Sequence, residues 1–210
     1  MWVKICGITD IISAMHCEME GIDAIGFVFV PWSFRYISLE KLDKMAPHLK
    51  RLSVMKIGVF ADSSEEEIRD VMNILPLDGI QLHGEENIEF AKKFKEFFLI
   101  KAFGIDEKPL EELEEDILKF SSIGYVLLDR NRNSSLTFDE FIEKVSKLRS
   151  YSKVILAGGI NEDNLPKVIP LKPFGIDLSS GVEEEKGKKS LVKITNFMRK
   201  VSDYENEKFS

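Results

Sequence analysis

The amino-acid sequence predicts an α/β protein folded as a single-domain (β/α)8 barrel, also called a TIM barrel. Eight short runs rich in Val, Ile, Phe and Leu recur along the chain, each followed by a polar turn and a segment with helical spacing. Runs that are apolar throughout are typical of strands buried on both faces, as in a parallel sheet. The 210 residues are 44% hydrophobic and 31% charged, which suits one globular domain with a sizeable core.

Eight strands are predicted from these runs. The spacing between successive runs leaves room for a loop and a crossover helix, as a parallel connection requires. The predicted strands span residues 2–7, 24–29, 56–60, 79–84, 97–104, 124–129, 153–159 and 174–180.

Helix boundaries are marked by capping signals between the strands. Ser64 with Glu67, and Thr137 with Glu140, have the spacing of a capping box, so each pair predicts a helix start. Gly21 is placed to end the first helix, because glycine readily adopts the conformation that terminates one.

A doubly wound open sheet is the competing architecture for alternating strands and helices. It usually carries a Gly-rich nucleotide-binding turn after its first strand, whereas residues 6–9 are Cys-Gly-Ile-Thr and do not fit GxGxxG. The barrel is therefore favoured, with residues 1–201 as the barrel domain and 202–210 as a polar C-terminal tail. The functional site of such a barrel lies at the carboxyl ends of its strands.

Composition excludes several classes of function. The formal net charge of −7 argues against a general electrostatic grip on nucleic acid or an anionic membrane. No run approaches the roughly 18 apolar residues of a membrane helix, and the first residues lack the features of a secretory signal. Two cysteines, Cys6 and Cys17, predict reduced thiols in a cytoplasmic protein. No metal is predicted, because HExxH, paired-His and Asp-rich patterns do not occur in the sequence.

A thiol and a carboxylic acid stand at two predicted strand ends. Cys6 closes the first strand, where a buried cysteine is commonly an inert apolar residue. It becomes a base if a cation such as an inward-pointing Lys4 or Lys101 favours the thiolate. Asp129 follows four apolar residues and serves either as a structural anchor or, when partly desolvated, as a proton donor. Facing each other across one cavity, Cys6 and Asp129 would form a base and acid pair.

Three further polar side chains lie at the ends of the second and fourth strands. Arg35 is either a surface arginine or a bidentate clamp for a carboxylate or phosphate. Gln81 and His83 are two residues apart and so share one face of their strand. A single histidine is more often a hydrogen-bonded structural residue than a catalyst, so His83 is predicted to line the pocket. Gln81, on the same face, is predicted to line it as well.

Small residues end the seventh and eighth strands, where barrels often bind phosphate. Backbone N–H groups can approach an anion closely in such turns. The ligand-binding residues predicted at these two strand ends are Gly158, Gly159, Asp177, Ser179, Ser180 and Gly181.

Six motifs occur in a fixed order at the predicted strand ends. They are VKICGIT at 3–9, GFVF at 26–29, QLHG at 81–84, LLD at 127–129, AGGIN at 157–161 and DLSSGVE at 177–183. In this order and at these strands they resemble the phosphoribosylanthranilate isomerase family, and the resemblance covers almost the whole chain.

The resemblance implies an Amadori rearrangement of phosphoribosylanthranilate in tryptophan biosynthesis. It implies that Cys6 is the general base, that Asp129 is the general acid, and that Arg35 holds the anthranilate carboxylate. The turns after the seventh and eighth strands would bind the phosphate. No cofactor is implied, because the substrate nitrogen serves as the electron sink. The sequence leaves open whether the protein is a monomer or a homodimer, since Trp32 and Phe34 suit either a substrate pocket or a subunit contact.

The chain departs from the family in the loop after Asp129. The family has a longer stretch there containing glycines, a lysine and a tryptophan, whereas this chain has Arg-Asn-Arg-Asn-Ser-Ser-Leu-Thr-Phe-Asp-Glu. That loop helps to cover the phosphate end of the site. Our hypothesis is that Arg130 or Arg132 compensates, so that neutralising both would weaken substrate binding.

Two alternative functions remain at this point. The altered loop favours a non-catalytic barrel, descended from the isomerase, that binds a phosphate ligand without turnover. Another sugar-phosphate isomerase on the same scaffold would keep the phosphate turns, but it would more typically use paired carboxylates or a metal at the other strand ends.

Overall fold

The computed structural model describes residues 1–130, 134–148 and 152–207, which form a closed barrel of eight parallel strands. Each strand pairs with its neighbours in chain order, and the first closes the barrel by pairing with the eighth. The strands are β1 (Trp2–Cys6), β2 (Ala24–Val28), β3 (Met55–Phe60), β4 (Gly79–Leu82), β5 (Phe98–Gly104), β6 (Tyr125–Asp129), β7 (Val154–Ala157) and β8 (Gly175–Leu178). The closure confirms the predicted (β/α)8 fold and excludes the open doubly wound sheet.

Eight α-helices within the described residues alternate with the strands. They are α1 (Ile11–Met19), α2 (Leu39–Leu49), α3 (Glu65–Ile74), α4 (Ile88–Lys92), α5 (Leu110–Ser121), α6 (Phe138–Ser146), α7 (Leu165–Val168) and α8 (Leu191–Glu207). Capping boxes at Ser64 and Glu67, and at Thr137 and Glu140, start α3 and α6 as predicted. Gly21 follows α1 with φ of 72°, a left-handed conformation that favours glycine.

Aromatic rings pack together near the amino ends of the strands. The ring centroids of Trp2 and Phe98 are 5.2 Å apart, those of Phe98 and Tyr125 are 4.4 Å apart, and those of Tyr125 and Phe174 are 4.2 Å apart. Rings from several strands thus form one apolar floor. Because packing occupies this end of the barrel, the functional site is left to the opposite end.

Several strands end earlier than the predicted runs. β4 stops at Leu82 and β7 stops at Ala157. Gly158 and Gly159 after β7 have φ of 94° and 85°, conformations that take the chain out of the strand. The small residues that end the runs therefore belong to the loops at the barrel mouth.

A two-stranded hairpin after β8 has no counterpart among the predicted elements. Its strands are β9 (Glu183–Glu185) and β10 (Lys188–Lys189), which pair antiparallel. These strands consist of three acidic and two basic residues and contain no apolar run, so the search for buried strands could not predict them. The hairpin returns the chain to the barrel mouth and buries Glu183 and Lys189 there.

The last helix continues beyond the boundary predicted at residue 201. α8 runs to Glu207 because Tyr204 packs against the core and the amino terminus of Met1 forms an ion pair with Glu205. Of the predicted tail, residues 202–207 are thus helical, and 208–210 lie outside the described residues. None of the helices in the described part of the chain is both long and apolar enough to cross a membrane.

Candidate active site

A cavity of about 560 Å³ opens at the carboxyl ends of the barrel strands, a size that suits a small-molecule ligand. Ten of the predicted site residues line it: Cys6, Arg35, Gln81, His83, Asp129, Gly158, Gly159, Asp177, Ser179 and Ser180. Gly181 is the exception and lies behind the wall. A Cβ at this position would overlap the carbonyl oxygen of Ile160, so glycine is needed for the loop after β8 to pack on the loop after β7. This packing explains the glycine, and the ligand contact of Gly181 stays a prediction.

Cys6 ends β1 and is half-buried at the cavity wall. The hydroxyl of Ser179 donates a hydrogen bond of 3.0 Å to the carbonyl oxygen of Cys6 and joins the ends of β1 and β8. Burial raises the pKa of the Cys6 thiol, and the nearby Asp177 carboxylate raises it further. The positive charges of Lys4 and Lys189 act in the opposite direction and favour the thiolate, but burial outweighs them and the pKa of Cys6 stays above its usual value.

A buried ion pair lies next to this thiol. Lys4 is fully buried, and its Nζ donates a hydrogen bond of 2.8 Å to Oδ2 of Asp177. Burial lowers the pKa of Lys4, but Asp177 and Cys6 outweigh that effect and keep the lysine charged. Oδ1 of Asp177 is buried and has no hydrogen-bond partner among the described residues. One Asp177 oxygen is therefore held by Lys4, and the other is buried without a partner.

The second lysine suggested by the sequence does not serve the thiol. The Nζ of Lys101 donates to a carboxylate oxygen of Glu86 at 3.0 Å and to the carbonyl oxygen of Gly84. This pair ties β5 to the loop after β4, away from Cys6. Of the two candidates, only Lys4 lies at the thiol.

Asp129 ends β6 at the cavity wall, where its Oδ2 is 3.8 Å from Nε2 of His83. The other ring nitrogen of His83, Nδ1, is 3.1 Å from the amide nitrogen of Gln81. The two side chains thus lie on the same face of the strand and line the cavity. Burial raises the pKa of the Asp129 carboxyl, while His83 acts to lower it. A raised pKa increases the fraction of Asp129 that carries a proton to donate.

Arg35 is held at the cavity by an acidic residue that the sequence analysis quoted in a motif but did not assign to the site. Its Nε and Nη2 donate to the two carboxylate oxygens of Glu183 at 2.6 and 3.0 Å, and Glu183 also accepts a bond of 3.1 Å from Lys189. Burial would raise the pKa of Glu183, but Arg35 and Lys189 bring it down to about 2. Arg35 has five N–H donors, so this pair fixes the guanidinium and takes only two of them. Glu183 and Lys189 lie on the hairpin after β8, so their position near Arg35 could have been predicted only together with the hairpin.

An apolar wall lies beside Cys6. Val28, Val30 and Val59 form a small buried cluster against which Cys6 and Ala61 pack. Trp32 and Phe34 extend the cavity lining from the loop after β2. Such a surface suits a planar aromatic ring, and it places Trp32 and Phe34 at the pocket.

The turns at the ends of β7 and β8 form another part of the cavity wall. Arg130 anchors the first of them, donating from Nε to the carbonyl oxygen of Gly158 at 3.3 Å and from Nη1 to that of Leu136 at 2.8 Å. A Cβ on Gly158 would overlap the backbone of Arg130, so glycine is required there. Arg130 thus acts on the turn through backbone carbonyl groups. Arg132 lies outside the described residues.

Within the described ranges, no three His, Cys, Asp or Glu side chains are grouped so as to hold a metal ion. The polar groups that line the cavity include the Cys6 thiol, the carboxyl groups of Asp129 and Asp177, the Arg35 guanidinium and the backbone of two turns. Such a set can bind an anionic ligand and move protons.

Comparison with known proteins agrees with this geometry. A family model described as N-(5′-phosphoribosyl)anthranilate isomerase matches residues 3–200. The chain belongs to this family. A protein named N-(5′-phosphoribosyl)anthranilate isomerase from Thermotoga petrophila is 39% identical over 204 residues, which cover 94% of this chain and 96% of the relative.

Solved structures of the isomerase family share the fold over nearly the full length. A phosphoribosylanthranilate isomerase in complex with reduced 1-(o-carboxyphenylamino)-1-deoxyribulose 5-phosphate is 34% identical, with a TM-score of 0.78, and covers 97% of this chain and 99% of its own. A structure of monomers generated from the dimeric isomerase of Thermotoga maritima is 33% identical, with a TM-score of 0.76, and covers 96% and 98%.

Proposed function

We propose that the chain converts N-(5′-phosphoribosyl)anthranilate to 1-(2-carboxyphenylamino)-1-deoxyribulose 5-phosphate, an aldose–ketose isomerisation of tryptophan biosynthesis. One observation carries the proposal: Cys6 and Asp129 end two different strands and line the same cavity. A reaction that removes one proton and supplies another needs two such groups.

The cavity offers a place for each part of this substrate. The anthranilate carboxylate would meet the Arg35 guanidinium, and its ring would lie against the apolar wall of Val28, Val30 and Val59. The phosphate would lie at the turns after β7 and β8, where small residues expose backbone N–H groups. This placement puts the ribose between Cys6 and Asp129.

Asp129 carries the first proton transfer. It protonates the ring oxygen of the ribose as the bond from that oxygen to C1′ breaks, and the anilino nitrogen then forms an iminium with C1′. Burial raises the pKa of Asp129, so it holds a proton more readily than an exposed aspartate.

Cys6 carries the second proton transfer. The iminium makes the proton on C2′ acidic, and the Cys6 thiolate removes it to give an enolamine. C1′ then gains a proton as the C2′ hydroxyl loses one, which gives the ketone. The substrate nitrogen donates its lone pair when the ring opens and takes an electron pair back when the C2′ proton leaves, so the side chains need only move protons.

We also propose a cellular compartment and an oligomeric state for the protein. The free thiols of Cys6 and Cys17 favour a reducing compartment, and we infer the cytoplasm. The protein would act as a monomer or homodimer, in keeping with the dimeric relative from Thermotoga maritima that was also obtained as monomers.

Turnover of freshly generated phosphoribosylanthranilate, followed by the loss of its anthranilate-type fluorescence, tests the proposal. We expect the wild-type protein to consume the substrate and to bind the reduced product analogue by calorimetry. Binding of the analogue by a folded protein that gives no turnover would contradict the proposal and support the non-catalytic barrel.

A further inference from the structure

We propose that Lys4 is a positioning residue that makes Cys6 the base of the reaction, by holding its ammonium beneath the thiol inside the barrel. The role rests on the proposed isomerase function. Lys4 and Cys6 are two residues apart on β1, so both side chains point to the same face of the strand. Lys4 therefore lies one layer deeper than Cys6, below the cavity.

Gly26 on the neighbouring strand leaves the space in which the two groups meet. It is the register partner of Cys6 in the β1–β2 pair. A Cβ on Gly26 would lie 3.1 Å from Sγ of Cys6 and 3.1 Å from Nζ of Lys4. The sulfur and the ammonium thus converge on one notch, which any larger residue at Gly26 would fill.

The charged groups around the thiol come from three elements. Lys4 lies below it on β1, Asp177 lies level with Lys4 on β8, and Lys189 approaches from β10. Burial raises the pKa of Cys6, the charge of Lys4 opposes that effect most strongly, and Asp177 adds to it. Lys4 therefore stands between two anions, the Asp177 carboxylate and the Cys6 thiolate.

Lys189 is the competing candidate, but its charge is already engaged. Its Nζ lies 3.1 Å from a carboxylate oxygen of Glu183 and donates to the carbonyl oxygen of Ser179 at 3.1 Å. Burial also lowers the pKa of Lys189. Its influence on Cys6 is smaller than that of Lys4.

Stability alone does not explain a buried Lys4–Asp177 pair. Taking both charges out of water costs about as much as their attraction returns, and apolar residues of similar volume often serve as well. A functional role accounts for a lysine inside the barrel directly below the cavity.

The test measures the thiol itself. Cys6 alkylation by iodoacetamide is followed by mass spectrometry across a range of pH, with Cys6→Ser as the blank for Cys17. In Lys4→Met we expect the thiolate fraction at neutral pH to fall about tenfold or more, because a neighbouring cation shifts a pKa by one unit or more. We expect kcat/KM at neutral pH to fall by the same factor.

Lys101→Met is the matched control, because it removes another buried lysine from a buried carboxylate away from the thiol. We expect it to lower stability and to leave the Cys6 alkylation profile in place. An equal shift in Lys101→Met and Lys4→Met would overturn the proposal, since it would show a general effect of disrupting the barrel.

Asp177→Asn keeps the proposal falsifiable if Lys4→Met does not fold. It removes the competing anion, so Lys4 is left to the thiolate and the alkylation profile should move to lower pH. If the pH profile of Cys6 alkylation is unchanged in Lys4→Met and in Asp177→Asn while the wild-type protein turns over substrate, the role of Lys4 is contradicted and the proposed function is not. A shifted profile in a protein without wild-type turnover would contradict the proposed function and, with it, a part for Lys4 in the reaction.

Discussion

The two sides of the cavity prepare their proton-transfer groups in different ways. On the side formed by β1, β8 and the hairpin, the Cys6 thiol is surrounded by charges, among them Lys4, Asp177 and Lys189. On the side formed by β6 and β7, Asp129 lies 3.8 Å from His83, and burial is the main cause of its raised pKa, as it is for Cys6. Burial therefore disfavours the charged form of the base, an effect that Lys4 opposes, and it favours the protonated form of the acid.

The difference follows from what each group must do. A thiol has to lose a proton in a buried site, and burial works against it, so compensating cations are needed. A carboxyl group has to keep a proton, and burial alone favours that state. The base side should therefore be sensitive to charge changes, whereas the acid side should be sensitive to packing.

The largest effect that sharpens this comparison is expected at Glu183, which holds Arg35 and Lys189 on the base side. Glu183→Gln leaves both cations without their anion, and we expect a loss of about 3 kcal/mol in the free energy of unfolding, measured by urea denaturation. Because the folded pKa of Glu183 is about 2, its contribution is present above the unfolded value of about 4.3 and is lost as pH falls toward 2. The variant should lack this part of the pH dependence.

Glu184 is the matched control for Glu183 on the same hairpin. Its ion pair with Lys188 is exposed to solvent, so Glu184→Gln should change the unfolding free energy little. Equal losses in the two variants would show that the hairpin as a whole is fragile and would remove the special role of the Glu183 pair.

A smaller effect is expected at the glycines on the acid side. Gly158→Ala places a Cβ against the backbone of Arg130 at a φ of 94°, so we expect a loss of about 2 kcal/mol in unfolding free energy. In Gly159→Ala the nearest atom is Nη2 of the Arg130 side chain at 2.8 Å, which can move, and the loss should be about 1–2 kcal/mol. The reverse order by urea denaturation would contradict the packing described for this turn.

The smallest effect is expected at Arg130. Arg130→Met removes the hydrogen bonds to the carbonyl groups of Gly158 and Leu136, so the phosphate turn should loosen. We expect KM to rise about 3- to 10-fold with little change in kcat, as for the loss of one or two hydrogen bonds. Arg69→Met on the outer face of α3 is the control. An unchanged KM in Arg130→Met would contradict the hypothesis that Arg130 compensates for the altered loop after Asp129.

Much of the fold was predictable because each barrel strand is an apolar run followed by a polar turn. Cys6 and Asp129 were predictable for the same reason, since each ends such a run. Their approach to one cavity then follows from barrel closure, which brings the carboxyl ends of all strands to one face.

The ion pairs were not predictable, because they join residues far apart in sequence. Glu183 lies 148 residues from Arg35, on a hairpin whose short charged strands carry no recognisable pattern. Gly181 shows the same limit: the sequence places it in the predicted binding motif, and only the structure shows that the close approach of two loops requires a glycine there. Lys4 had a signal, its spacing of two from Cys6, and only the structure shows its carboxylate partner.

The most direct test of the acid and base assignment compares turnover with binding in Cys6→Ala and Asp129→Asn. We expect kcat to fall about 10²- to 10⁴-fold in each variant, because each loses one proton-transfer group. Binding of the reduced product analogue, measured by calorimetry on the folded variants, should stay close to that of the wild type. Near-wild-type kcat in either variant would contradict its assignment, and loss of binding together with turnover would indicate a structural role instead.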